Sequence, residues 1–436
     1  MRKMKDSGIE WIGEIPEYWE CTQFKTLLSR NDGGVWGNDP TDTDVDKIVI
    51  RSTEQTIDGK WCINNPAKRD LTTENIKDYR IVKNDLLMTK SSGSLDHIGK
   101  TSIADEYFTK NECYYSNFIQ RLRCYENKYF PKYAWFILNS TIARKQFAYL
   151  QNSTSGLGNI NSGIINQIKV PLPPLPDQQQ IADFLDDKVS QIDSVISKTR
   201  ETIEEYKKLK QSIITEVVTG KVKIENGKVC GKYGTYKDSG IEWIGEIPCE
   251  WEVKRLKFSS KVRNEKYSEN YGVLEYFGLE NIESHSAKFI ETENIYDITQ
   301  SQICKKDDIV FGKLRPYLAK VYEVPIDECC SSEFAVFYNF EGYNKFFKYL
   351  FLSYWFITIV DASTYGTKMP RANIDFIKNM IIPLPDFESQ YKIADFLDKK
   401  CSEIDKLITK KEQLVVELES YKKSLIYEVV TGKREV

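Results

Sequence analysis

Lys313, Arg315 and Tyr317 fall within GKLRPY (312–317), where a glycine permits close approach and Pro316 restrains the phenol beside two cations. Lys368 and Arg371 lie on a second loop-like stretch, GTKMPRAN (366–373). In the first half of the chain, Lys90, Ser92 and Ser94 occupy a polar, glycine-containing run, Lys90-Ser-Ser-Gly-Ser94. Side chains of these types, carried on positioned loops, can contact phosphates and read donors and acceptors on base edges. Arg315 is the strongest candidate, because a guanidinium can bond guanine in bidentate fashion. The competing reading for each is a solvated surface charge, the ordinary fate of a lysine.

Catalytic chemistry is not legible. Asn65-Pro66-Ala67 falls short of the N/D-P-P-Y/F tetrapeptide of amino-methyltransferases, and no G-x-x-x-x-G-K-[ST] phosphate loop occurs. Gly156-Leu157-Gly158 lacks a third glycine at dinucleotide-binding spacing. Glu205-Tyr206-Lys207 has a nuclease-like E-x-K spacing, but within a long helical stretch rather than a cleft. His97 and His285 accompany no serine or cysteine nucleophile motif. A non-catalytic chain that binds no metal or cofactor is expected.

Length and composition fit two or three globular domains: 436 residues, 41% hydrophobic and 13% aromatic. The ten cysteines include no C-x-x-C pair, so a zinc site or a disulfide framework is not expected and a reducing cytoplasm fits. No stretch is apolar enough for a membrane span, and MRKMKDSGIE lacks the apolar core of a signal peptide. The net charge of −3 is unevenly spread. Residues 177–219 carry −3 and residues 386–431 carry −2, which leaves the remainder slightly basic at +2. A local basic patch is permitted, not demanded.

These candidate loops must be positioned by something, and the organising element is the stretch 177–219. It holds no Pro or Gly and is bracketed by Pro176 and Gly220. Asp177 and Gln180 have capping-box spacing, and Gly220 stands where a helix C′ glycine belongs. Leu185, Val189, Ile192, Ile196, Thr199, Ile203, Tyr206, Lys210, Ile213 and Val217 step by fours and threes, a heptad seam that needs a partner helix. At ~1.5 Å per residue this helix is roughly 65 Å long. The partner lies in the same chain: IADFLD recurs at 181 and 393, and EVVTGK at 216 and 428. The second seam runs Leu397, Cys401, Ile404, Ile408, Lys411, Val415, Leu418, Lys422, Leu425 and Val429. Lys411 and Lys422 align with Thr199 and Lys210. A buried polar break can set register, but solvent-facing positions are the simpler expectation here.

KDSGIEWIGEIP stands at 5–16 and again, identically, at 237–248. The chain is thus two homologous halves, each a strap motif, a globular domain and a long helix. Trp11 and Ile15, with Trp243 and Ile247, are expected to pack the straps on their domains. Between these landmarks the frame repeats and the loop chemistry changes. Lys313 aligns with Lys90, Asn373 with Asn161, 276–282 with the strand around Ile50, and 332–338 with 116–122. An extended segment after a polar turn is expected over 80–87, a strand over 116–123, and single helices over 129–150 and 346–360. The expected divisions are a first domain 1–176, helix 177–219, linker 220–236, second domain 237–385, helix 386–431 and tail 432–436.

On the two KDSGIEWIGEIP motifs, YFGLENI (276–282), DDIVFGKLRPYLAKV (307–321), GTKMPRAN (366–373) and the paired P-L-P…IADFLD…EVVTGK helices, the sequence resembles the DNA-specificity subunit of type I restriction–modification systems. The resemblance covers nearly the whole chain and departs in one loop, where SSGSLDHIG (91–99) stands against LRPYLAKVY (314–322). It implies a mixed α/β (α+β) fold: two globular target-recognition domains separated by two long helices that form an antiparallel coiled coil, related by a pseudo-twofold internal repeat. Each domain would read one half of a bipartite, asymmetric site in double-stranded DNA. Two methyltransferase subunits would use S-adenosylmethionine, and two restriction subunits would use ATP and Mg. Apolar residues off the seam, Phe184, Val195 and Ile214, would be covered by the methyltransferases. A coiled-coil scaffold without DNA, and a module of a larger fused enzyme, are the other classes; the latter needs a catalytic domain that this sequence lacks.

Overall fold

A computed structural model describes residues 2–41, 45–152, 159–242, 244–268, 271–272, 274–292, 300–366 and 368–436. Trp243, Gly156-Leu157-Gly158 and Thr367 lie outside them, as does much of the loop around 151–162. The chain divides into two compact units, Met1–Lys198 with Leu414–Val436, and Thr199–Gln413.

The first unit is built on a four-stranded antiparallel sheet in the order Leu28–Gly33, Ile119–Cys124, Leu86–Thr89, Thr101–Ile103. Its small second sheet pairs Lys47–Ile50 in parallel with Tyr114–Tyr115 and antiparallel with Ala67–Arg69. The strand predicted over 116–123 is shorter, Ile119–Cys124, and only the end of the extended segment 80–87 joins the sheet, in Leu86–Thr89. Residues 82–85 form a turn in which the Asp85 carboxylate accepts from the Val82 amide, and Arg123 then pairs with that buried carboxylate at 2.6 Å. The single helix expected over 129–150 is two helices, Pro131–Asn139 and Thr141–Asn152. Ser140 is extended between them and its hydroxyl accepts from the Ile142 amide, so a local side-chain bond ends one helix and starts the next.

The second unit repeats the plan. Lys261–Arg263, Phe334–Tyr338, Ile309–Gly312 and Val321–Glu323 form the same four-stranded order. Tyr276–Phe277 pairs in parallel with Glu328–Cys330, but here the third strand, Gln302–Cys304, lies on the far side of Glu328–Cys330. The helix expected over 346–360 is again two, Asn344–Leu352 and Tyr354–Ala362, broken at extended Ser353. The repeat alignment of 116–122 with 332–338 is one residue out. The Ser116 amide bonds the Ile50 carbonyl and the Ser331 amide bonds Phe277, so Ser116 corresponds to Ser331. A one-residue slip in a strand exchanges its faces.

The long helices run Leu175–Val218 and Phe387–Val430. The first begins two residues before Asp177, with Pro176 inside its first turn, where a missing N–H costs nothing. The predicted capping box does not form: Asp177 accepts from the Tyr18 hydroxyl, and Gln180 donates to the Val436 carbonyl. The anchoring residue is instead Gln178, fully buried, which accepts from the Phe130 amide and donates to the Pro173 and Lys128 carbonyls. Gln390 repeats this with the Tyr343 amide and the Pro385 and Glu341 carbonyls. At the other end the Gly220 amide bonds the Val217 carbonyl and the Lys221 amide bonds Glu216, the paired bonds of a Schellman cap.

Within each unit the two helices run antiparallel. In the first, Lys422 pairs with Asp193 at 2.6 Å, and Leu185, Val189, Ile192 and Ile196 share a core with Val415, Leu425 and Val429. In the second, Lys210 pairs with Asp405 at 2.8 Å, and Ile214, Val217 and Val218 share a core with Leu397 and Cys401. Of the other seam residues, Ile203 and Ile404 are buried, while Ile408 and Leu418 are half-buried. The polar seam positions do not face solvent: Thr199 and Lys210 are buried, Lys411 and Lys422 half-buried. The lysines at 210 and 422 each pair with a carboxylate on the opposite helix, which offsets the cost of taking those two charges into the seam.

Each strap closes over a helix end. In the first unit the Ile12 carbonyl accepts from Tyr427 and Lys433, with Ile9, Ile12 and Ile15 in the core and Trp11 tilted on Tyr149 at 5.1 Å. In the second, Lys221 donates to the Ile244 and Glu246 carbonyls. A Cβ on Gly432 would lie 2.5 Å from Pro16, and one on Gly220 2.4 Å from Pro248. Both glycines have φ of +71°, so conformation and space each require them.

Candidate nucleic-acid interface

In the second unit the loop that follows Ile309–Gly312 and the loop before Asn373 are laced together by backbone bonds. The Lys313 amide donates to the Glu333 carbonyl, and the Ala372 amide donates to the Lys313 carbonyl. The Arg315 amide donates to the Pro370 carbonyl at 2.8 Å. Tyr365 and Arg371 close the second loop by exchanging backbone bonds. Arg315 and Ala319 both have left-handed backbone, φ +52° and +48°, flanking the single turn Pro316–Leu318. Non-glycine residues there are strained, and such strain concentrates where structure fixes a functional loop.

The side chains on this platform differ in availability. Arg315 and Lys368 are exposed and make no ion pair or side-chain hydrogen bond among the described residues. Tyr317 is 43% exposed beside them. Arg371 is exposed but paired with the Glu333 carboxylate. Lys313 is half-buried under the loops; burial holds its pKa below the usual lysine value, with Glu333 opposing and Arg371 reinforcing that shift. The structure thus brings all five residues into one loop pair and leaves two cations and a phenol free to meet a polyanion. Glu333, which neutralises Arg371, gave no signal in the sequence because the two are 38 residues apart.

In the first unit, Lys90 has the same backbone role: its amide donates to the Phe118 carbonyl and its carbonyl accepts from Ile160. Its ammonium lies over Gly33, where an added Cβ would come within 2.7 Å, and burial lowers its pKa. Ser92 is half-buried and accepts from the Ser94 amide, and Ser94 is exposed. The loops are not of equal length. Thr89 bonds the Lys100 carbonyl where Gly312 bonds Lys320, so ten residues, 90–99, stand against seven, 313–319. The residue-for-residue match of 91–99 with 314–322 therefore fails after the loop. Asn161 and Asn373 are equivalent N-caps, accepting from the Ile164 amide and from the Asp375 and Phe376 amides.

Two lysines that sequence reading passed over anchor these loops. Lys100 donates to the Gln55 carbonyl at 2.7 Å, and Lys320 to the Leu279 and Ile282 carbonyls at 2.6 Å. Burial lowers the pKa of both.

The family described as "Type I restriction modification DNA specificity domain" matches residues 46–205 and 248–417. A provisionally assigned type I restriction enzyme MjaX specificity subunit of Methanocaldococcus jannaschii is 28% identical over 98% of this chain and 96% of its own. The type I restriction enzyme MjaVIII specificity subunit of the same organism is 28% identical over 69% of this chain and 70% of its own. A solved chain from a study of complex assembly and conformational transition of the type I R-M system superposes with a TM-score of 0.73, at 13% identity, over 95% of this chain and 98% of that one. The duplicated frame, the antiparallel helix pairing in each unit and the two family matches agree, and the chain belongs to the type I restriction–modification DNA-specificity family.

Proposed function

We propose that this chain is the sequence-specific DNA-binding subunit of a type I restriction–modification enzyme, each globular domain reading one half of a bipartite site in double-stranded DNA. The observation that carries this reading is Arg315: exposed, unpaired among the described residues, and fixed at a left-handed position by the Pro370 carbonyl. Lys368 and Tyr317 lie on the same loop pair. A guanidinium held so can meet a base edge, while Lys368 suits a phosphate. In the first domain the matching loop offers Ser94, with Lys90 set beneath it.

The chain itself supplies no catalytic group in this reading. Methylation belongs to two methyltransferase subunits using S-adenosylmethionine, and cleavage to two restriction subunits using ATP and Mg. Exposed apolar residues on the long helices support docking of partners: Val195 at 47%, Leu209, Leu407, Leu414, Val416 and Tyr421. Phe184 and Ile214 do not belong to that surface, since Phe184 packs on the first core and Ile214 lies inside the second. Among the described residues no helix is long and apolar enough to cross a membrane.

The test is to co-express the chain with its methyltransferase and map methylated adenines across the host genome. A single motif of two defined blocks around an undefined spacer is expected. Methylation at a continuous motif, or none above the methyltransferase alone, would overturn the reading.

A further inference from the structure

Two carboxylates, Asp193 on the first long helix and Asp405 on the second, each bind two lysines in the same arrangement. In the first unit one oxygen of Asp193 takes Lys422 of the opposite helix at 2.6 Å, and the other takes Lys60 of the globular domain at 2.6 Å. In the second unit one oxygen of Asp405 takes Lys210 of the opposite helix at 2.8 Å, and the other takes Lys288 of the domain at 3.2 Å. The helix members repeat at a fixed offset in sequence, but the domain lysines do not. Lys60 ends a five-residue turn, TIDGK, and Lys288 ends a six-residue turn, ESHSAK. Both turns are closed by the same bonds: the Thr56 amide to the Lys60 carbonyl, and the Glu283 amide to Lys288, inside the bridges Gln55–Trp61 and Ile282–Phe289. Turns of different length and composition thus deliver a lysine to the same place.

Each turn is also tied to the base of its domain's candidate reading loop. Lys100 and Lys320, which follow those loops, donate to the Gln55 and Ile282 carbonyls at the start of the turns. In the second unit the His285 amide further bonds the Ala319 carbonyl, inside the loop that carries Arg315. A continuous set of bonds runs in each unit from reading loop to turn lysine to helix carboxylate to opposite helix.

We propose that Lys60 with Asp193, and Lys288 with Asp405, are positioning residues that fix the angle of each reading domain on its helices and so set how strictly the enzyme discriminates spacer length. The proposal rests on the bipartite-reader function above. Ion pairs of this partial exposure contribute geometry more than stability. A spacer changed by one base pair displaces a half-site by about 3.4 Å and about a tenth of a turn. A domain held at one angle rejects that displacement; a domain free to tilt follows it.

The experiment uses the assembled complex of this chain with its methyltransferase, and duplexes carrying the mapped motif with its own spacer or one base pair more or fewer. Lys60→Met and Lys288→Met cut only the domain arm of each carboxylate. Each is expected to keep methylation at the native spacer within about twofold while reducing the preference for native over altered spacers by about tenfold, the scale of a small misplacement of reacting groups. The bases required in both half-sites stay the same, and Lys60→Arg retains the wild-type preference. Asp193→Asn, which weakens both arms, moves the same ratio further. An unchanged ratio at retained activity overturns the proposal. So does an equal loss at every spacer with a lowered unfolding temperature, which is what a merely stabilising contact would give. Failure of the wild-type complex to show any two-block motif would instead overturn the functional reading, and this inference with it.

Discussion

The first and second globular domains put different chemistry on the same backbone bonds. Phe118 and Glu333 accept from equivalent loop lysines, yet one is an exposed aromatic and the other a carboxylate that holds Arg371. Cys113, just before the strand Tyr114–Tyr115, aligns with Glu328, the first residue of the matching strand Glu328–Cys330. The thiol of Cys113 is pushed up to about 12 by burial and then by Glu54 and Asp105. Ten loop residues after Thr89 become seven after Gly312. By contrast, helix anchors, straps, caps and carboxylate–lysine sets coincide almost bond for bond. Two domains on one frame need the frame to stay fixed wherever it meets the helices, while a side chain that only meets solvent or ligand is free to differ.

The comparison is broken most severely by exchanging one reader. Replacing residues 21–170 with the corresponding domain of a relative is expected to change one block of the methylated motif completely and leave the other intact, as read by methylation mapping. Change in both blocks would mean that the domains do not read independently.

The shared frame is tested by its glycines. Gly220→Ala and Gly432→Ala each place a Cβ at left-handed φ within 2.4–2.5 Å of a strap proline. Each is expected to cost about 2–4 kcal/mol, from backbone conformation plus overpacking, read as a fall in thermal unfolding temperature. Gly245→Ala, also left-handed but with nothing within 4 Å of its added Cβ, should cost only about 1–2 kcal/mol.

A third test separates the units by pH. Glu328 is 6% exposed and one of its oxygens has no partner; burial, then the nearby Glu275, pushes its carboxyl up to about 7 from 4.5. The folded protein therefore binds this proton more tightly than the unfolded chain. Its contribution is most favourable below about pH 4.5 and is lost as pH rises towards about 7, by at most about 3 kcal/mol. Glu328→Gln should match the wild type at about pH 4 and unfold at higher temperature at about pH 8. Cys113→Ser in the first unit should produce no such pH-dependent gain.

The smallest effect, and the most local, is at the candidate interface. Arg315→Ala should cost about 1–3 kcal/mol of specific DNA binding and relax one base position in the block read by the second domain. Titration against cognate and single-base-variant duplexes decides it. A uniform loss on all DNA, with a shallower salt dependence, would make Arg315 a phosphate contact.

Much of this was open to reading in the chain. The long helices and the Gly220 cap depend on bonds within four or five residues and the seam on a heptad period, so spacing alone exposes them; Asn161 and Asn373 were matched to each other in the repeat, and their role as N-caps came with the structure. The repeats of KDSGIEWIGEIP and EVVTGK marked the duplicated frame, and GKLRPY marked the loop that carries Arg315. The tertiary structure decided what spacing cannot express. Ser140 and Ser353 break helices that periodicity joined, because a short polar side chain competes for the backbone. Lys210 and Lys422 are taken into the seam because Asp405 and Asp193 arrive from a helix some two hundred residues away. Arg371 is engaged because Glu333, on a neighbouring strand end, faces it. Local hydrogen bonds leave a period in the sequence. A charge pair between distant segments leaves none, because either partner alone reads as an ordinary solvated residue until the fold brings the other within 3 Å.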